Sequence, residues 1–183
     1  MSENYQRLMM ASGGGDDFDR HLFACILAKG LDEAPRPLPR AVGLDAKQLC
    51  ALRQTYFDGA AWLDLAASGP VGDDALEEDD LRRLLADNAT RPGDPAALWL
   101  AAMVARRSLA PNHLWQDLGL RSRIDLSGLM RRHFQPLAER NDRDMKWKKF
   151  FYRQMCEAEG VVICKSPVCD TCSDFSLCFG AEE

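Results

Sequence analysis

Apolar residues recur along most of this chain at the three- and four-residue spacing of a helix face. Phe18, Leu22, Cys25 and Ile26 form the first such row, with Gly30 following as a stop signal. Pro35, Pro37 and Pro39 then withhold backbone donors, so residues 34–43 read as an extended connector. Asp45 suits an N-cap, and the helix it would start buries Leu49, Leu52, Tyr56 and Phe57. Gly59 weakens that helix, which Ala60 to Ala67 resumes around Trp62 and Leu63 before a turn at Ser68 to Gly72.

Six of the eight residues from Asp73 to Asp80 are acidic, and Leu81, Leu84 and Leu85 follow. Acidic side chains suit the positive end of a helix dipole, so this cluster reads as a solvated helix start, with a docking patch for a basic partner as the rival use. Asp94-Pro95 is a strong start signal for a helix running to about Ser108 that buries Leu98, Ala101, Ala102 and Ala105. A short helix from Pro111-Asn112 carries Leu114, Trp115 and Leu118 and ends at Gly119. Another spans roughly Asp125 to Phe134 and is stopped by Pro136, and a last one runs from Asp142 to Glu159 with Gly160 as its terminator. Val161-Val162-Ile163 is briefly β-prone, and beyond it the helical pattern disappears.

The predicted architecture is therefore all-α, a helical domain with a C-terminal cysteine-rich metal-cluster loop. Its divisions are a flexible N-terminal segment over 1–17, the helical domain over 18–160, and the cysteine-rich segment over 161–183.

Composition narrows the function classes. The 183 residues carry 28 Asp and Glu against 23 Lys and Arg, a net charge of −5 that disfavours general coating of nucleic acid. The longest apolar run, Ala96 to Ala105, is far short of the roughly 20 residues of a membrane span. Residues 1–19 mix Glu3, Arg7, Asp16, Asp17 and Asp19 with three consecutive glycines, which does not read as an export signal. Of seven cysteines, four fall in the last 20 residues. An odd, clustered count without an export signal points to reduced thiols in the cytoplasm and a local metal site rather than a disulfide framework.

Those four are Cys164, Cys169, Cys172 and Cys178, spaced C-x4-C-x2-C-x5-C. Thiolates this close repel one another unless a cation or cluster compensates them. Zinc sites usually comprise two knuckles set apart by a longer spacer. Here no second knuckle stands alone, and the spacing favours iron–sulfur ligation, with zinc as the alternative. The preceding stretch is basic. From Arg131 to Arg153 there are eight Lys and Arg against three acids, and Lys146, Lys149 and Arg153 share one helical face. Such a stripe can offset a cluster's charge, gather an oxyanion such as molybdate, or dock an acidic partner; an ordinary solvated face is the plain alternative. Trp147, Phe150 and Phe151 lie mostly on another face and read as core.

Several of these stretches together resemble the NifQ family of nitrogen-fixation proteins. They are Leu114-Trp115-Gln116-Asp117-Leu118-Gly119, Met130-Arg131-Arg132-His133-Phe134, and Met145 to Gln154 leading through Cys156-Glu157 into the cysteine pattern and Phe179-Gly180. The resemblance is close over about residues 94–180 and loose before them.

It implies a metallochaperone that binds a Mo–Fe–S cluster and donates molybdenum for the iron–molybdenum cofactor of nitrogenase. The implied partners are a molybdenum source such as molybdate, the NifEN scaffold and the nitrogenase iron protein NifH. The implied cluster ligands are Cys164, Cys169, Cys172 and Cys178. Molybdenum wants further ligands, for which Cys156 and His133 are candidates beside water and nearby carboxylates. Cys25 and Cys50 sit on apolar stripes and read as core. No catalytic motif is recognisable, so a carrier rather than an enzyme is expected. The rival classes are a zinc- or iron–sulfur-stapled interaction module and an iron–sulfur nucleic-acid-binding protein.

Overall fold

The computed structural model describes residues 2–63, 71, 76–158, 160 and 175–179. Among the described residues the secondary structure is helical and no strand occurs.

Two apolar helices form the centre. Helix α2 is Asp17–Leu31, and every residue from Leu22 to Ala28 is buried, the signature of a helix enclosed on all sides. Helix α6 is Pro95–Ser108, started by the Asp94 carboxylate accepting from the Ala96 amide at 3.1 Å and by proline in its first turn. Its alanines keep it thin, so neighbours approach closely, while Leu100, Met103 and Val104 fill the space between. Leu98, expected in the core, is 44% exposed; the buried face of α6 is carried by its neighbours in the sequence instead.

The remaining helices wrap these two. Helix α1, Glu3–Met10, lies within the stretch read as a flexible segment; it packs on α2 and buries Tyr5 and Leu8. Helix α3, Leu38–Val42, contacts both α2 and α6 and occupies the stretch read as an extended connector. The prolines there begin a helix rather than prevent one, because Pro39 stands in the first turn where its missing amide has no partner to lose. Gly30 likewise does not stop α2. It is buried near the end of the helix, where a Cβ would come within 2.9 Å of Leu38 and 3.0 Å of Val42, so the glycine lets α3 approach. Helix α4, Ala46–Tyr56, begins with a capping box in which Asp45 and Gln48 satisfy each other's amides, a device worth about 1 kcal/mol.

Helix α5, Leu76–Asp87, packs against α6 and corrects the reading of the acidic run as wholly solvated. Glu77, Asp79 and Asp80 are exposed, but Glu78 is buried and pairs with buried Arg106 at 3.0 Å. Helix α7, Leu114–Asp117, leads to Gly119, whose φ of +70° and close approach to the Cys25 carbonyl both require glycine. Helix α8, Arg123–His133, is capped by Ser122. Pro136 does not simply end it, because the chain restarts as α9, Gln135–Arg140, with that proline in the first turn.

Helix α10, Trp147–Ala158, starts five residues later than the sequence implies. The Asn141 side chain is the reason: it donates to the Met145 carbonyl and accepts from the Met145 amide, both at 2.9 Å, closing a turn that the helix would have to break. Trp147, Phe150 and Phe151 are buried, as read from the sequence. Helix α11, Phe175–Phe179, completes the described chain. Residues 64–67 and 161–163, read as helix and as β-prone, lie outside the described residues.

Candidate metal centre

Of the four cysteines expected to grip a cluster, Cys178 is described and Cys164, Cys169 and Cys172 lie outside the described residues. Cys178 sits half-buried on α11. That short helix is tied to the start of α10: the Lys146 amide donates to the Cys178 carbonyl at 2.8 Å, and the Lys146 ammonium reaches the Ser176 carbonyl at 3.5 Å. Arg143 lies over the Phe179 ring at 5.4 Å. The basic segment thus holds the last cysteine's helix directly. Cys156 is half-buried in the last turn of α10. Among the described residues, no three His, Cys, Asp or Glu side chains converge as a metal site.

His133 is placed elsewhere. It is buried, and its Nε2 lies 2.9 Å from Asp19 Oδ1, joining α8 to α2. Arg132 reaches the same carboxylate at 2.8 Å and Asp16 at 3.1 Å. His133 is thus a bridge between helices. Burial alone would raise the pKa of Asp19, but the hydrogen bonds and charges of His133 and Arg132 outweigh it and hold the carboxyl below its ordinary 3.8. The unfolded chain therefore takes up a proton here before the folded one does. The stabilisation from Asp19 is complete above its unfolded pKa and is lost as pH falls through the lower folded value. Urea midpoints measured from pH 6 down to pH 3 should fall more steeply for the native chain than for Asp19→Asn; parallel curves would show that the pair carries no pH dependence.

Cys25 is buried at 2% exposure, as expected of core. It lies 3.7 Å from His21 Nδ1, and His21 Nε2 lies 3.4 Å from Asp125, a layout that on paper resembles a nucleophile with its base. Burial, aided by the Asp125 charge, pushes the Cys25 thiol up to about 12, so it is a packed neutral thiol at physiological pH. Cys50 is only half-buried, against the expectation that it is core.

Part of the positive charge counted in residues 131–153 is spent internally. Lys148 donates to the Ala110 carbonyl (2.5 Å), the Asn112 carbonyl (2.7 Å) and the buried Asp117 carboxylate (2.6 Å), pinning α10 to the α6–α7 connection. Arg132 is committed to Asp19 and Asp16. What gathers beside α11 is a different set: Arg140, Arg143 and Arg153 line a cleft of about 540 Å³ that Phe179 also borders. Of the face Lys146, Lys149 and Arg153, only Arg153 reaches it. The other two arginines come from the end of α9 and the turn after it, a convergence that helical periodicity does not encode.

The NifQ family model matches residues 22–180, a span that includes all four clustered cysteines. The chain belongs to the NifQ family. Among NifQ relatives, it is 42% identical over 177 residues to the protein NifQ of Rhodobacter capsulatus, covering 94% of this chain and 96% of that one. It is 39% identical over 178 residues to the protein NifQ of Azotobacter vinelandii, covering 91% of each. A NifQ homolog of Sinorhizobium fredii is 38% identical over 175 residues, covering 91% of this chain and 74% of its own. No solved structure matches the chain at a significant level. The NifQ match begins within α2, so α1 lies outside it. No helix among the described residues is long and apolar enough to cross a membrane.

Proposed function

We propose that this NifQ-family chain is a metallochaperone of nitrogen fixation: it binds a Mo–Fe–S cluster and donates molybdenum for assembly of the iron–molybdenum cofactor of nitrogenase. The observation that carries this reading is the family match running through residue 180, which takes in Cys164, Cys169, Cys172 and Cys178. Fifteen residues from Cys164 to Cys178 hold all four sulfurs, a density that requires compensating metal once the thiols ionise. Thiolate and sulfide suit iron and also suit molybdenum that has left an all-oxygen environment.

The position of Cys178 supports a donor rather than a store. Its helix is five residues long, its neighbours Ser176 and Leu177 are exposed, and Cys178 is half-buried against the edge of the core, so the proposed last ligand lies at the margin of the fold rather than deep within it. A short marginal helix opens at lower free-energy cost than a helix enclosed in the core, which a centre that must release its metal needs. The chain acts as a carrier in the cytoplasm, receiving molybdenum from molybdate or another source and delivering it to NifEN working with NifH.

Purification without oxygen, followed by measurement of Mo, Fe, Zn and acid-labile sulfide together with electron paramagnetic resonance, tests the proposal. Iron, sulfide and molybdenum should co-purify with the chain and give a paramagnetic signal in one redox state. A colourless protein with one zinc and neither iron nor molybdenum would overturn it in favour of a zinc-stapled module.

A further inference from the structure

Between α9 and α10 the chain bends over residues 141–146. Asp144 takes a φ of +55° there, and no other non-glycine among the described residues has a φ in that region. Aspartate tolerates the left-handed conformation better than most side chains, but its surroundings must still impose it. Two side chains do so. Arg123, at the start of α8, donates to the Asp144 carbonyl at 2.9 Å and to its carboxylate at 3.1 Å. Asn141 spans the bend, its Oδ1 accepting from the Met145 amide and its Nδ2 donating to the Met145 carbonyl.

That carbonyl and the Lys146 amide belong to one trans peptide group. Such a group is planar and directs its C=O and its N–H to opposite sides. Asn141 Nδ2 holds the carbonyl end at 2.9 Å, and the N–H end donates to the Cys178 carbonyl at 2.8 Å. Turning the plane for one partner turns it for the other. The two bonds also run in series, so each polarises the peptide in the sense that strengthens its companion. Lys146 can serve in this way because α10 begins at Trp147, and an amide at a helix start has no carbonyl one turn earlier to bond. The carbonyl and the sulfur of Cys178 hang from the same Cα, so the place of its peptide limits where its sulfur can stand. Metal–ligand distances tolerate only about ±0.2 Å.

We propose that Asn141 is a positioning residue for the metal centre: by fixing the Met145–Lys146 peptide plane it fixes the peptide of Cys178, and with it the sulfur expected to complete the cluster's ligand set. This rests on the molybdenum-donor reading above, in which Cys178 is the last ligand. Asn141 itself touches no metal. A primary amide is needed at this position because it offers a donor and an acceptor at once.

The first test reads the hydrogen bond directly and needs no cluster: amide exchange of Lys146, followed by NMR in the full-length, metal-free chain. Lys146 should be protected in the native chain. Its exchange should be at least about tenfold faster in Asn141→Ala and in Asn141→Asp, the loss of one supporting hydrogen bond. The amides of Leu100 and Met103, buried in α6, should stay protected in both and so report an intact fold. The aspartate is the deciding variant. It still accepts from the Met145 amide but has no N–H for the Met145 carbonyl. Native protection of Lys146 in Asn141→Asp would show that the turn needs only its acceptor, and would overturn the assignment. Free exchange of Lys146 in the native chain would overturn it as well.

The second test uses anaerobically purified protein. Loss of iron to a chelator should be about tenfold faster in Asn141→Asp than in the native chain, the scale on which outer partners act on a metal site, and the paramagnetic signal should change shape. Native iron loss with an unaltered signal, in protein whose Lys146 amide has lost its protection, would overturn the positioning role and leave the donor reading standing. Native protein without iron would remove the donor reading, and the role of Asn141 at a metal centre would go with it.

Discussion

Serine in place of Cys169 or of Cys172 is expected to reduce the iron and acid-labile sulfide of anaerobically purified protein at least about tenfold, while far-UV circular dichroism stays close to that of the native chain. The two cysteines form the C-x2-C pair at the centre of the pattern, where one missing thiolate leaves a cluster corner without its ligand. The helical signal should survive because the core rests on α2 and α6, whose buried side chains are drawn from residues 19–30 and 96–108, far in sequence from the cysteines. Cooperative loss of helicity in either variant would mean that the cysteine segment is a structural staple of the zinc-finger kind, and the donor reading would lose its physical basis.

Arg106→Ala should be the most damaging change within the helical body, with a cost of about 3–5 kcal/mol. That compares with a total stability of about 5–15 kcal/mol for a typical domain, so the variant should be largely unfolded at elevated temperature. Arg106 and Glu78 are each about 5% exposed at the side chain. Arg106 also donates to the Val71 carbonyl, and Arg82 reaches the same Glu78 oxygen at 3.0 Å. Alanine would leave the Glu78 carboxylate enclosed with only the more exposed Arg82 to answer it. The paired replacement Glu78→Leu with Arg106→Met should recover most of the loss, because it removes both charges at once. Denaturant titration of the three proteins checks this. A loss below about 1 kcal/mol in the single variant would place the pair among ordinary surface bridges.

The local signals in the sequence located most helix starts. Asp45 with Gln48 and Asp94 with Pro95 are short-range devices whose chemistry is complete within four residues, and both act as read. Proline and glycine were harder, because their effect depends on which turn of a helix they occupy and on what packs against them. Pro39 and Pro136 begin helices, and Gly30 permits a close crossing near a helix end. Neither is visible without the neighbouring element. The buried charges were illegible for the same reason: Glu78 is 28 residues from Arg106, and Asp19 is 114 from His133. Nothing local distinguishes Glu78 from the exposed acids beside it.

At the candidate centre, the cysteine pattern was the clearest feature of the chain. The basic stretch before it stands out in the sequence, but helical periodicity alone misplaces its charges. The turn held by Asn141 breaks that periodicity, so Arg140 and Arg143 enter the cleft from outside the helix while Lys148 turns away to bind Asp117.

The bond from the Lys146 amide to the Cys178 carbonyl has a mechanical corollary. It couples the peptide of Cys178 to the backbone that follows Arg140 and Arg143, so that peptide cannot slide without either rupturing the link or dragging the arginine-bearing bend along. Movement of the cysteine-bearing helix and movement of the basic bend are, in that sense, geared to one another by this main-chain coupling.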